Sequence, residues 1–221
     1  LIEKLNLPSR EKSLFDVHCP KDIKVLVRAQ KRLKFEELFF LQLHLLKLKL
    51  TRTHKSKGYA FDNLGDAFNN FYQNYLPFKL TNAQKRVLKE IRNDVRYPKQ
   101  MNRLLQGDVG SGKTLVALLS MLMAVDNNYQ TCLMAPTEIL AHQHFSTIDK
   151  YLEEMNIRVS ILTGSTKSKE RKVLHQKLEV GEIDLLVGTH ALLEDKVKFC
   201  NLGLVVIDEQ HRFGVAQRAK L

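Results

Sequence analysis

Apolar and polar positions follow two different rhythms along this chain. From residue 21 to residue 50 the sequence is rich in Leu, Lys and Glu, contains neither Gly nor Pro, and repeats its apolar residues at helical spacing. This pattern predicts one long amphipathic helix that begins after Pro20. The polar stretch 53–58 predicts a break, and residues 63–75 predict a second, shorter helix. We expect the Leu and Phe side chains of 35–48 to pack in a core or against another domain.

After Pro77, short apolar runs alternate with helical stretches. Thr81 or Asn82 is the expected N-cap of the helix that carries AQKRVLKEI. The strand-like runs are RLLQG at 103–107, QTCLMAP at 130–136, RVSILTG at 158–164, DLLVGT at 184–189 and LGLVVIDE at 202–209. Apolar strands separated by helices form parallel sheets, so the sequence predicts an α/β fold with a mainly parallel sheet covered by helices on both faces.

This change of pattern divides the chain into two predicted regions. Residues 1–75 are expected to form a helical linker region, and residues 76–221 an α/β domain. In such sheets the chemically active groups collect at the carboxyl ends of the strands. The candidate residues for chemistry all follow a strand or lie in the glycine-rich loop.

The glycine-rich run at 107–114, GDVGSGKT, satisfies the spacing GxxxxGK[ST] in full. Glycines let backbone N–H groups approach a triphosphate, and the following helix offers its positive N-terminal end. Lys113 is expected to reach the β- and γ-phosphates, and Thr114 to offer its hydroxyl to Mg²⁺. The residues expected to bind ATP or a relative are Gly107, Asp108, Val109, Gly110, Ser111, Gly112, Lys113 and Thr114. An ordinary glycine turn is disfavoured by the strand-like run before it and the helix after it.

A second element has to hold the metal, and LVVIDEQH at 204–211 offers two carboxylates. Its apolar residues predict a buried strand that delivers Asp208 and Glu209 to its end. Asp208 suits the Mg²⁺ shell, and Glu209 suits a general base or a group that positions the attacking water. Two surface acids at a strand end are the alternative reading. We predict that Lys113, Asp208 and Glu209 together support hydrolysis of a nucleoside triphosphate.

The composition of the chain indicates which partners and which cellular compartment to expect. The formal net charge of +11 favours a polyanionic partner such as nucleic acid. No apolar run approaches the roughly 18 residues that cross a bilayer, so no membrane partner is expected. The three cysteines form no CxxC pair, which argues against zinc and fits a reducing, cytoplasmic setting. Cys132 is expected to be a buried thiol, and His142 and His144 are expected to be solvated or packed.

Five motifs together resemble the first motor domain of superfamily-two DNA helicases. They are GDVGSGKT at 107–114, APTEILAHQH at 135–144, LTGSTKSKER at 162–171, VGTHALL at 187–193 and VVIDEQHRFGVAQR at 205–218. The string DEQHRFGVAQR is most similar to translocases that act on branched DNA. The resemblance covers about 76–221 and implies a RecA-like P-loop NTPase domain. Less specifically, it implies that 1–75 is a linker that includes the end of a DNA-binding wedge domain.

The same resemblance implies roles for further residues. Gln84 would contact the adenine base, and Gln210 and His211 would relay the nucleotide state to a partner motor domain and the DNA. The DNA-facing residues would be Pro136, Thr137, Glu138, Thr163, Gly164, Thr189 and His190. Threonines, glycines and strand-end N–H groups suit phosphate oxygens, so binding is expected to be independent of sequence and sensitive to salt.

For three of these stretches a purely structural reading stays open. Thr163 and Gly164 are also typical of a strand terminus, and His190 of a histidine at the edge of a core. The basic run KSKERK at 167–172 fits either a DNA contact or the solvated start of a helix.

The implied function is an ATP-dependent motor on duplex or branched DNA that uses Mg²⁺ and remodels replication forks in DNA repair and recombination. Such a motor needs a second RecA-like domain of the same full-length chain, which would supply an arginine finger. The present chain stops soon after DEQH, so we expect a fragment that alone binds nucleotide weakly and hydrolyses it slowly or not at all. We also expect a monomer.

Three other functions are considered. A transcription-repair coupling factor carries similar motor motifs and differs in the domain that precedes them. A nucleic-acid-binding module that holds ATP without hydrolysing it would have no need of both Lys113 and Glu209. A small P-loop kinase would need an acceptor pocket and a lid, for which the sequence gives no sign.

Overall fold

The computed structural model of the protein describes residues 2, 4–55 and 58–214. The chain divides into two compact units, Leu1–Lys57 and Gly58–Leu221. The predicted boundary between the two regions lies at residue 76, whereas the second unit of the structure begins eighteen residues earlier, at Gly58. The physical reason is that Phe61 and Phe71 are buried in the core of the second unit.

The first unit is a pair of helices, α1 (Arg10–His18) and α2 (Ile23–Lys55). Each begins at a side chain that accepts a hydrogen bond from the first turn, Ser9 for α1 and Asp22 for α2. The long helix predicted over 21–50 is confirmed. It continues through Lys55, so the break starts later than predicted, and residues 56–57 of that stretch lie outside the described residues.

Most large apolar side chains in the second half of α2 are exposed. These are Leu38, Phe39, Phe40, Leu41, Leu43, Leu45, Leu46, Leu48 and Leu50. The expectation that this stretch packs in a core is therefore wrong for the first unit, and the alternative, that it packs against another domain, stays a prediction. The buried positions of α2 lie earlier, at Ala29 and Arg32, and Arg32 is paired with Glu36 one turn later at 2.6 Å.

The second unit is an α/β domain. Its helices are α3 (Asp66–Asn70), which continues as a π-helical turn over Phe71–Tyr75, α4 (Asn82–Val95), α5 (Lys113–Val125), α6 (Glu138–Leu152) and α7 (Ser168–Glu179). Short 3₁₀ turns cover His190–Leu193 and Gln210–Arg212. The strands are β1 (Gln130–Met134), β2 (Val159–Leu162), β3 (Leu185–Gly188) and β4 (Leu202–Ile207).

The four strands form one sheet in the order β2-β3-β1-β4, and every pairing is parallel. Alternate side chains enter two separate cores, as strand geometry requires. Leu133 and Val187 join the core with α4, α5 and α6. Cys132 and Leu186 join the core on the other face with Leu178 of α7. The predicted parallel sheet with helices on both faces is confirmed.

The strand predicted for RLLQG at 103–107 is wrong, because the segment before the glycine-rich loop has no strand structure. Leu104 is exposed. Arg103 instead turns to α4, where its guanidinium bonds Asp94 at 2.6 Å and Glu90 at 2.7 Å. The segment makes these contacts with α4 and does not pair with a strand of the described sheet.

Candidate nucleotide site and DNA-facing edge

All four parallel strands end at the same edge of the sheet, so the residues that follow them are neighbours there. Ala135–Thr137 follow β1, Thr163 follows β2, Thr189 follows β3 and Asp208 follows β4. The ladder continues beyond the strands, since the N–H of Asp208 donates to the carbonyl of Met134 at 2.9 Å. Residues predicted from four separate motifs are thereby brought to one edge.

The glycine-rich loop leads directly into α5, with Gly112 as the N-cap (φ 77°, ψ 27°). Gly110 shares the left-handed conformation (φ 78°), which side chains rarely adopt. The positive φ favours glycine at position 112, and a Cβ there would also lie 2.5 Å from the Gln84 amide nitrogen and displace that side chain. The loop is exposed, and the free N–H groups at the start of α5 can meet an anion.

Lys113 folds its ammonium back over the loop. Its Nζ donates to the carbonyls of Gly107 and Asp108, both at 2.8 Å. These bonds hold the cation inside the loop, where a phosphate would replace the carbonyl oxygens as its partner.

Asp208 is fixed at both carboxylate oxygens. Oδ2 accepts from His144 Nε2 at 2.9 Å, and Oδ1 accepts from the Glu209 N–H at 3.0 Å. The hydrogen bond from His144 is the main cause that lowers the pKa of Asp208, and the nearby charge of Lys113 contributes. Lys113 and Asp208 therefore lie close enough for their charges to interact.

Glu209 and the residues after it form a tight turn. Glu209 has φ 47° and ψ 50°, a left-handed conformation uncommon for a residue with a side chain. Its side chain is 48% exposed, and its carboxylate oxygen Oε2 lies 3.4 Å from His211 Nδ1. Residues 215–218 of the last motif lie outside the described residues. The turn presents Glu209 to solvent beside the fixed carboxylate of Asp208.

The donor set fits Mg²⁺. Mg²⁺ prefers oxygen ligands and is usually held by one or two carboxylates together with substrate phosphates and water. Asp208 keeps lone pairs free on both oxygens, and Thr114 lies at the start of α5 after Lys113. Within the described ranges no group of three or more His, Cys, Asp or Glu side chains is suited to a metal. A site completed by nucleotide phosphates needs no such group.

Gln84 joins α4 to the glycine-rich loop. Thr81 is the N-cap of α4, as predicted, and forms a capping box with Gln84. The Gln84 carbonyl oxygen accepts from the Thr81 N–H at 2.8 Å, and its amide nitrogen donates to the Ser111 carbonyl at 2.9 Å. Each polar end of the side chain has one partner and keeps one further N–H donor or acceptor lone pair, which the predicted adenine contact could use.

Glu138, the first residue of α6, joins two of the motifs that are predicted to face DNA. Its carboxylate accepts from the Ser165 N–H at 3.0 Å and from the Ser165 hydroxyl at 2.7 Å. Arg171 joins the same loop to the end of the VGTHALL motif, donating to the Thr163 carbonyl at 2.8 Å and pairing with Glu194 at 2.6 Å. The basic run 167–172 lies at the start of α7, as one of its two readings predicted. Arg171 is already paired, and a DNA contact by the rest of the run stays a prediction.

The residues predicted to face DNA fall into two groups, those with buried side chains and those with exposed side chains. Thr163 and Thr189 are buried, at 2% and 1% exposure, so their side chains face the protein. Thr137 is the N-cap of α6, and its hydroxyl accepts from the Leu140 N–H at 3.3 Å. His190 is exposed, so it is not a histidine at the edge of the core.

His144 is the residue of this site that sequence reasoning missed. The prediction that it is solvated or packed rested on its i, i+2 spacing from His142, which argues only against a shared zinc. A usable signal was its place three residues after Ala141 and four before Ile148, both fully buried on α6. That spacing turns His144 inward.

The parallel sheet, the glycine-rich loop before α5 and the carboxylate of Asp208 after β4 together define a RecA-like P-loop nucleotide-binding domain. The profile of the DEAD/DEAH box helicase family matches residues 81–221, and the chain belongs to that family.

The following three proteins similar to this chain are all ATP-dependent DNA helicases named RecG. The chain is 46% identical to ATP-dependent DNA helicase RecG of Synechocystis sp. over 219 residues, 99% of this chain and 26% of that protein. It is 47% identical to RecG of Aquifex aeolicus over 227 residues, 100% of this chain and 28% of that protein. It is 45% identical to RecG of Bacillus subtilis, covering 32% of it. The chain therefore spans 26% to 32% of the length of these relatives.

A solved structure shows the same fold. The structure of RecG bound to a three-way DNA junction matches 96% of this chain with a TM-score of 0.86 and 45% identity, over 29% of that protein. In the described part of this chain no helix is long and apolar enough to cross a membrane.

Proposed function

We propose that this chain is the first motor domain of a RecG-like, ATP-dependent DNA helicase that acts on branched DNA. In the full-length protein this motor couples ATP hydrolysis to remodelling of replication forks in DNA repair and recombination. The observation that carries the proposal is that Lys113, at the start of α5, lies close enough to Asp208, just after β4, for its charge to lower the pKa of Asp208, although the two residues are 95 positions apart in the sequence. The similarity to RecG over nearly the whole chain supports the choice of substrate.

Each residue of the nucleotide site has a distinct part in this proposal. The loop glycines and the start of α5 present N–H groups to the triphosphate, and Lys113 exchanges its loop carbonyls for phosphate oxygens. Thr114 and Asp208 hold Mg²⁺, which when bound neutralises charge on the β- and γ-phosphates. Glu209, exposed next to Asp208, orients the attacking water and accepts its proton.

The edge formed by the residues after β1, β2 and β3 is the proposed DNA side. Thr163 and Thr189 are buried, and their backbone N–H groups already donate within the protein. The exposed Thr137 and His190 are therefore better placed to meet phosphate oxygens. Such contacts hold the backbone of duplex DNA without reading its bases.

A second RecA-like domain completes the proposed motor. It belongs to the same full-length chain, and Gln210 and His211 transmit the nucleotide state to it. The free cysteines support a reducing, cytoplasmic setting, and we propose that the motor is monomeric.

The test is Lys113→Ala in the full-length protein. Loss of the phosphate-binding cation should abolish DNA-stimulated ATP hydrolysis and leave DNA binding largely in place. Lys150→Ala, an exposed lysine in the last turn of α6, is the matched control and should change neither. Equal loss of hydrolysis and DNA binding in Lys113→Ala would mean that the loop is structural.

The DNA substrate is tested by comparing a three-way junction with linear duplex as activators of hydrolysis. Stronger activation by the junction is expected. Equal activation would favour a translocase of the transcription-repair coupling type.

A further inference from the structure

We propose that His144 is a positioning residue that orients the carboxylate of Asp208 for Mg²⁺. This inference rests on the proposed function, because it concerns the metal that accompanies the nucleotide. The role belongs to a side chain outside the glycine-rich loop and outside the DEQH motif.

The contact is short and sheltered. His144 Nε2 lies 2.9 Å from Asp208 Oδ2, and the two side chains are 14% and 29% exposed. A carboxylate oxygen only accepts, so Nε2 is the donor. Water has limited access to this pair, which makes the hydrogen bond stronger than one at the open surface.

Two donors from different directions fix the carboxylate plane. His144 reaches Oδ2 from α6, and the Glu209 N–H reaches Oδ1 from the turn after β4. With its backbone N–H bonded to Met134, Asp208 is held at three points. The orientation of the remaining lone pairs is then set before any metal arrives. Without His144 the carboxylate can rotate about its side-chain bonds.

His144 is itself held by the packing of α6. Ala141 and Ile148 on the same face are fully buried against the sheet. At its first turn, Glu138 ties α6 to Ser165. A helix rises about 1.5 Å per residue, so this tie lies about 9 Å along the axis from His144. The histidine is therefore anchored on both sides.

This arrangement is that of an outer-shell partner, and loss of such a partner typically weakens metal affinity 10- to 100-fold. We expect His144→Ala to weaken the Mg²⁺-dependent part of nucleotide binding about tenfold. His144→Gln keeps an amide N–H that can reach Oδ2 and should recover most of the loss.

The experiment measures binding of a fluorescent ADP analogue to the full-length protein, once with Mg²⁺ and once with EDTA. His144→Ala should weaken binding in Mg²⁺ and leave binding in EDTA unchanged, because the loop contacts to phosphate do not involve it. A general structural defect would weaken both. His142→Ala is the matched control, since His142 lies two positions earlier on the exposed side of α6.

The outcomes separate this inference from the proposed function. Mg²⁺-strengthened binding by the unmodified protein, lost in Lys113→Ala, supports the nucleotide site itself. If those two results are obtained, the role of His144 is overturned when His144→Ala binds the ADP analogue in Mg²⁺ as tightly as the unmodified protein does, or more tightly. Equal weakening in EDTA, or no recovery with His144→Gln, overturns it as well.

Discussion

Glu138 holds Ser165 by two hydrogen bonds, one to its backbone N–H and one to its hydroxyl, across 27 positions of sequence. The pair joins the start of α6 to the loop after β2. The Ser165 hydroxyl is the main cause that lowers the pKa of Glu138. The carboxylate is therefore stabilised in its charged form in the folded protein.

The first prediction concerns acid stability. Because folding lowers the pKa of Glu138, its contribution is present above the ordinary glutamate pKa of about 4.3 and is lost as pH falls through the lowered value. Ser165→Ala should lower the melting temperature at pH 7, and this difference should shrink below about pH 4. In a Glu138→Gln background the effect of Ser165→Ala should not vary with pH. A difference that persists unchanged at pH 3 would contradict the assignment.

The second prediction distinguishes the two functions of Gln84. Thr81→Ala removes the hydroxyl that caps α4 and should cost about 1 kcal/mol of folding free energy. Gln84→Ala removes the bond to the Ser111 carbonyl as well. It should weaken nucleotide binding severalfold beyond any effect of Thr81→Ala. Urea denaturation and nucleotide titration of the two variants provide the comparison, and equal nucleotide affinities would exclude a role for Gln84 at the loop.

The third prediction concerns a helix capped from a distant segment. Gly65 begins α3 without a side-chain oxygen, and Asp126 at the end of α5 accepts from the N–H groups of Ala67 and Phe68 at 2.8 and 3.0 Å. Asp126→Ala should lower the free energy of unfolding by about 1 kcal/mol. Asp126→Asn keeps one acceptor and should lose about half as much. If urea denaturation shows Asn and Ala variants to be equal, the carboxylate does not act as the cap.

The fourth prediction concerns thiol reactivity. Cys132 is fully buried in β1, and burial raises the pKa of its thiol to about 12. Cys19 and Cys200 are exposed. Because the thiolate is the reactive form, a thiol reagent at pH 8 should modify two cysteines in the folded protein and three after denaturation. Rapid modification of all three in the folded state would contradict the burial of Cys132.

The fifth prediction concerns salt. A basic chain that contacts the DNA backbone releases counterions on binding. With a formal charge of +11, binding to duplex DNA should weaken steeply as salt rises from about 50 to 200 mM. A flat salt response would mean that the positive charge does not serve DNA binding.

The sequence was sufficient for features that depend on local pattern. Strands β1 to β4 follow from apolar runs of strand length, and the cap at Thr81 from its place before a helical pattern. The parallel arrangement follows from the helices between them. In contrast, RLLQG has the composition of a strand and is not one. The ion pairs of Arg103 with α4 depend on tertiary packing that local propensity does not include.

The contact between His144 and Asp208 could not be read from spacing, because 64 positions separate them. It arises only when β1 and β4 pair in parallel and α6 packs back on the sheet. The hydrogen bonds from Ser165 to Glu138 likewise form only when the sheet and α6 have come together. The exposed leucines of α2 show the opposite case, where a strong apolar pattern did not indicate burial in the core of its own unit.

The bond from the Asp208 N–H to the Met134 carbonyl makes the backbone of Asp208, the proposed Mg²⁺ ligand, a continuation of the sheet rather than part of a loop. Its amide should therefore rank among the slowest to exchange with deuterium, together with the central strands. During a catalytic cycle we expect the backbone of Asp208 to keep its position while the segments around it move. Deuterium uptake with and without nucleotide should change at Gly107–Gly112 and stay constant at Asp208.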